Sequence, residues 1–131
     1  MRVFLDANVL FSASHAGSGI QRLVEWLAAR DEVVTSDYAA SEAARNIAAK
    51  RPEWQADYAR IVARVAVRPG LDKVLPVALA ARDRPILATA IRLRCDYLVT
   101  GDKRDFGHLF GQSIEGVTVV SPQALSEILL R

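Results

Sequence analysis

With a single cysteine, Cys95, in 131 residues, the chain cannot form an internal disulfide. Cys95 falls in the apolar-rich stretch 86–99, where a buried, inert thiol in a reducing compartment is the expected state. Neither a leader nor a membrane anchor is expected from the N-terminal residues. Its first apolar run is only Val3-Phe4-Leu5 before Asp6, which suits neither a signal peptide nor a span. Those two absences lead to the expectation of a soluble, cytoplasmic protein. There is no strong charge of one sign, because the formal net charge is +2, so charge alone gives no case for a nucleic-acid partner. Histidine is sparse too. His15 lies in a polar turn and His108 beside Leu109, and both read as surface or packing residues.

What the chain does have is apolar mass, with 51% of its residues hydrophobic. At this length that predicts one domain with its own core, spanning residues 1–131. No repeat, low-complexity segment or long linker divides it. The distribution of charge is more informative than its sum. Arg45, Lys50, Arg51, Arg60, Arg64 and Arg68 stand against only Glu53 and Asp57. Arg82, Arg84, Arg92, Arg94, Lys103 and Arg104 stand against Asp83, Asp96 and Asp102. Local basic density beside acidic positions suits a site that holds a cation and attracts a polyanion, although solvated helix faces explain many such arginines.

Short β-branched or aromatic runs predict strands at 2–6, 32–35, 65–67, 97–100 and 117–120. Between them lie helical patterns: Ile20, Leu23, Val24 and Leu27; a helix over 37–49; and Ile86, Ala90, Ile91 and Leu93. Ser121-Pro122 opens a last helix as N-cap and first-turn proline. Alternation of β and α elements implies a parallel sheet covered on both faces. The segment 74–81 fits strand, turn or helix equally.

Two of the predicted strands run into aspartates, Asp6 and Asp102, and parallel sheets bind ligands at the carboxyl ends of their strands. Carboxylates gathered at one such site repel one another unless a cation or shared proton compensates, so a divalent metal is the first hypothesis. Each acid also has a local structural explanation. Asp6 can cap the following helix, Glu42 can be solvated helix surface, and Asp83 can answer a helix dipole. Asp105 can cap a short helix near Phe106, and turns favour aspartate in general. The small neighbours Ala39, Ala40, Ala43 and Ala44 allow the backbone to carry Glu42 close to another element.

Taken together, Phe4-Leu5-Asp6-Ala7-Asn8-Val9-Leu10, Ser41-Glu42, Asp83-Arg84-Pro85-Ile86-Leu87-Ala88-Thr89-Ala90 and Leu98-Val99-Thr100-Gly101-Asp102-Lys103 resemble, in order, the four signature regions of PIN-domain ribonucleases. That family includes the VapC-type toxins of toxin-antitoxin pairs. The resemblance implies a three-layer α/β/α sandwich with a five-stranded parallel sheet. Asp6, Glu42, Asp83 and Asp102 would converge around Mg²⁺ or Mn²⁺, with Asp6, Asp83 and Asp102 as metal ligands and Glu42 binding directly or positioning water. Asn8, Ser12 and Thr100 match supporting polar positions, and Asp105 is the weaker ligand candidate. Pro85 departs from the pattern by fixing the backbone close to Asp83. Arg82, Arg84, Lys103 and Arg104 are candidate phosphate contacts.

The activity implied is metal-dependent endoribonuclease cleavage leaving a 5′-phosphate and a 3′-hydroxyl. RNA is the implied substrate, with a small antitoxin protein and a second copy of the chain as partners. Two rivals stand beside it. One is phosphoryl transfer through an aspartyl-phosphate at Asp6, although Asn8 stands where that chemistry wants a second aspartate. The other is a nuclease-like fold that binds RNA or protein without cutting.

Overall fold

The structure, a computed structural model, describes residues 1–130. The chain alternates strands and helices: β1 (Arg2–Leu5), α1 (Ala7–Ala13), α2 (Gly19–Arg30), β2 (Glu32–Ser36), α3 (Asp37–Lys50), α4 (Gln55–Val62) and β3 (Ala66–Arg68). After an irregular segment come α5 (Arg84–Arg92), β4 (Tyr97–Val99), α6 (Lys103–Phe106), β5 (Ser113–Ile114), β6 (Val117–Val120) and α7 (Pro122–Leu129). Single 3₁₀ turns at Pro52–Trp54 and Gly107–Leu109 complete the described residues.

Side chains alternate between the two faces of a strand, so consecutive buried residues require cover on both sides. Val3, Phe4 and Leu5 are each 0% exposed, which makes β1 the centre of a sandwich. Leu98 and Val99 repeat the pattern on β4, and Leu10, Leu27, Leu87, Phe106 and Leu125 fill the layers around them. Truncating a side chain such as Leu98 to alanine costs about 2–5 kcal/mol at a site this enclosed. Serines mark the helix starts. Ser18, Ser36 and Ser121 accept from the backbone N–H groups of Gln21, Ala39 and Ala124 at 3.0–3.1 Å. Each such cap is worth about 1 kcal/mol. Cys95 is buried, as its surroundings in the sequence predict.

The sheet order is β3-β2-β1-β4-β6-β5. The first half of the chain winds outward from β1 through β2 to β3, and the second half winds the other way through β4 to β6. The switch point falls between β1 and β4, which pair in parallel with Phe4 opposite Leu98. In open α/β sheets, the crevice at such a point is where ligands bind.

The sheet has six strands rather than five, and it is not wholly parallel. The extra strand, β5, pairs antiparallel with β6 through only two residues. Glu115 (φ 48°) and Gly116 (φ 90°) both take positive φ, the backbone of a tight hairpin turn. A two-residue strand has no readable period, and glutamate is not a usual signal for that turn. Segment 74–81 resolves into irregular chain with Leu75 tucked in and Val74 exposed.

Candidate metal centre

Asp6 leaves β1 with its own N–H donating to the Val99 carbonyl of β4 at 3.0 Å, which fixes it at the switch point. It is the N-cap of α1, accepting from the Ala7 N–H at 2.7 Å through Oδ1. Oδ2 accepts from the Thr100 hydroxyl at 2.8 Å and from the Asn8 amide at 3.1 Å. The cap predicted from sequence is therefore real, and it coexists with a place in the cleft.

Thr100 is fully buried and links two acids: its hydroxyl donates to Asp6 and accepts from the Asp102 N–H at 3.1 Å. Asn8 ties the two strand ends together by accepting from the Gly101 N–H at 2.7 Å. A Cβ at Gly101 would come within 3.3 Å of that same Asn8 oxygen, which explains glycine there. Asp102 then caps α6, accepting from the Asp105 N–H at 3.0 Å. The expectation that Asp105 caps the short helix is corrected. The helix starts earlier, at Lys103, and Asp105 lies inside it.

Asp83 precedes α5 with helical dihedrals and makes no capping bond. Pro85 removes one of the first-turn N–H donors that such a cap would use, leaving the carboxylate to face the cleft. Its Oδ2 is buried without a hydrogen-bond partner, and its nearest cation, the Arg82 Nε, is 3.7 Å away. Carboxylate oxygens of Asp83, Asp102 and Asp105 lie within 4.8 Å of one another. Asp6 stands behind this trio, with both oxygens engaged by the chain.

The cleft, about 480 Å³, is lined by five acids, Asp6, Glu42, Asp83, Asp102 and Asp105, with Lys50 and Arg82 as its only lining cations among the described residues. Burial pushes the Asp6 carboxyl up to about 6, with repulsion from Glu42 adding to it and the Thr100, Ala7 and Asn8 hydrogen bonds opposing. Asp83 is pushed up to about 7 by burial and by its acidic neighbours Asp105 and Asp102, against Arg82. Asp105 moves the other way, below the ordinary carboxylate range, because the Arg82 guanidinium bonds it. A buried, unpartnered carboxylate oxygen among crowded acids is what a hard cation with oxygen ligands satisfies, so the donor set fits Mg²⁺ or Mn²⁺.

Other predicted residues lie elsewhere. Arg84 forms a two-pronged ion pair with Asp72, at 2.7 and 2.8 Å, away from the acids. Ser12 and Lys103 line a neighbouring cleft of about 650 Å³ with Gly101, Ser18 and Ser121, which no carboxylate of the described residues lines. Arg104 is exposed and outside both clefts. His15 stacks on Trp54 with centroids 4.7 Å apart, and His108 Nε2 lies 2.8 Å from the Ala78 carbonyl oxygen. Sequence reasoning did not assign Tyr38, Asn46 and Lys50 to the cleft wall. With Glu42 they recur every four residues along α3, so helical spacing from that one glutamate is the signal that finds them.

The fold is similar to that of solved VapC-type structures. In solved structures, the chain superposes on VapBC2 from Rickettsia felis bound to a DNA fragment from its promoter, with a TM-score of 0.67 and 16% identity over 92% of this chain and 98% of that one. It also superposes on VapC20 of Mycobacterium tuberculosis, a sarcin-ricin loop cleaving toxin, with a TM-score of 0.55 and 12% identity over 78% of this chain and 91% of that one. No family model matches the sequence, and no curated protein does either. No described helix is long and apolar enough to cross a membrane.

Proposed function

We propose that the chain is a divalent-cation-dependent endoribonuclease acting as the toxin of a toxin–antitoxin pair. The observation that carries this reading is the unpartnered, buried Asp83 Oδ2 beside Asp102 and Asp105 at the β1–β4 switch point, in a fold shared with VapC toxins. Asp83, Asp102 and Asp105 would hold Mg²⁺ or Mn²⁺. Asp6, fixed by Thr100 and Asn8, supplies the negative charge behind them, and Glu42 faces them from α3 as the group that orients water. When bound, the cation supplies Lewis-acid activation of water and neutralises charge at the scissile phosphate. Lys103 and Arg104 form no ion pair among the described residues, which leaves them free for RNA phosphates, whereas Arg84 is spent on Asp72.

An antitoxin segment that blocks the site would present a cation to the five-acid cleft, where acids outnumber the lining cations Lys50 and Arg82. Association with a second copy belongs to the same proposal. Phosphoryl transfer through Asp6 has little support, because both of its oxygens already accept hydrogen bonds and it is 5% exposed.

The test is incubation of the purified protein with a mixed RNA pool in Mn²⁺, in Mg²⁺ and in EDTA, followed by end-group analysis. Cation-dependent fragments with 5′-phosphates, absent from Asp83→Asn, are the expected result. Salt-sensitive RNA binding that persists in EDTA with no cleavage in either metal would instead establish a binding module.

A further inference from the structure

The cleft contains a cation of its own. Arg82 Nη2 donates to Asp105 Oδ2 at 2.6 Å while Nε lies 3.7 Å from the orphaned Asp83 Oδ2. One guanidinium therefore faces two of the three acids whose oxygens come within 4.8 Å of each other. Its backbone is anchored, because the Tyr38 hydroxyl donates to the Arg82 carbonyl at 3.0 Å. Its side chain is not enclosed: 66% of it is exposed, against 12% for Asp83 and 18% for Asp105. The residue is thus a fixed post carrying a movable charge. The fork of donors suits carboxylate and phosphate alike. Arg84, two residues on, has the same chemistry but is held by Asp72 outside the cleft.

We infer that Arg82 is a built-in counter-ion that competes with the divalent cation for Asp105 and Asp83, and that cation binding releases it toward the cleft mouth, where an RNA phosphate is the anion it meets. This rests on the reading of the acids as a metal centre. A guanidinium and a divalent cation cannot share two carboxylates within a few ångströms without mutual repulsion, so each weakens the other's hold. The consequence is a sign that a purely structural role does not give. Removing Arg82 strengthens metal binding.

The experiment is Mn²⁺ titration at pH 8, followed by the electron paramagnetic resonance of free Mn²⁺. The proteins are the full chain and its variants Arg82→Gln, Arg82→Lys and Arg84→Gln, with thermal melts to verify folding. R82Q is expected to bind Mn²⁺ about three- to tenfold more tightly than the parent, with R82K between them. R84Q, which removes the same charge outside the cleft, is expected to match the parent. Equal or weaker Mn²⁺ binding by R82Q, with the parent still binding, overturns the inference and leaves the metal centre standing. Equal tightening by R84Q and R82Q also overturns it, by reducing the effect to net charge. If neither the parent nor R82Q binds Mn²⁺, both readings fall.

Discussion

The two ends of the sheet use the same residue types to opposite effect. At the amino end, the Met1 amino group pairs with Asp31 at 3.4 Å, Arg2 pairs with Glu32, and the Arg2 N–H donates to Asp96 at 2.8 Å. Acid meets base there, and the charges tie β1 to its neighbours. At the carboxyl end, five acids line one cleft with Lys50 and Arg82 as its only cations among the described residues, and a buried carboxylate oxygen goes unpartnered. Paired charges at an exposed edge contribute little beyond local order. Crowded, desolvated acids store repulsion that a ligand can relieve.

The largest test of that contrast is loss of the crowded acids. Asp83→Asn and Asp102→Asn should each weaken Mn²⁺ binding by at least about 100-fold and abolish cleavage. Calorimetric titration measures the first and RNA gel assays the second.

The next test is pH. Asp6 titrates near 6 and Asp83 near 7 in the fold, above the ordinary 3.8, so between those values the folded chain holds protons that the unfolded chain has already released. The stability they contribute is fully present below about pH 4 and is lost as pH rises through 6 and 7. For Asp6 alone the loss amounts to about 3 kcal/mol by pH 8. Metal-free protein should therefore gain stability from Asp6→Asn at pH 8 and little at pH 4, as read from urea unfolding. Mn²⁺ affinity should climb between pH 5 and 8 with release of protons.

A smaller effect is expected at Thr100. Thr100→Val deletes the hydroxyl that serves both Asp6 and Asp102, costing about 1–2 kcal/mol at pH 8 and pushing the Asp6 titration, followed by carboxyl NMR, further up.

The smallest belongs to the paired end. Glu32→Gln should lower the melting temperature by about 2 °C at most. It should leave Mn²⁺ affinity untouched, and an effect there comparable to that of D83N would collapse the contrast between the two ends.

Much of this was legible beforehand because it is local. Strand runs, serine caps and the buried thiol follow from period and residue type, and the β1 and β4 strands running into Asp6 and Asp102 pointed at the crevice. Glu42 and Asp83 required the family resemblance. The sixth strand is not legible in sequence, because its two residues carry no period. Arg84 looked equivalent to Arg82 in sequence, and only the position of Asp72 on the loop before α5 separates them. Asp105 reads as a cap in sequence because nothing local marks the start of α6 at Lys103, ahead of Phe106.

The sequence by itself determined the alternation of elements, the core, and which residue types stand at the strand ends, since these depend on neighbours a few positions away. Only the tertiary structure decided which acids face one another, that Asp6 spends both oxygens on the chain while Asp83 keeps one unpartnered, and that Arg82 reaches into the cleft. Those outcomes depend on desolvation and on distances between residues far apart in the chain, and packing alone sets them.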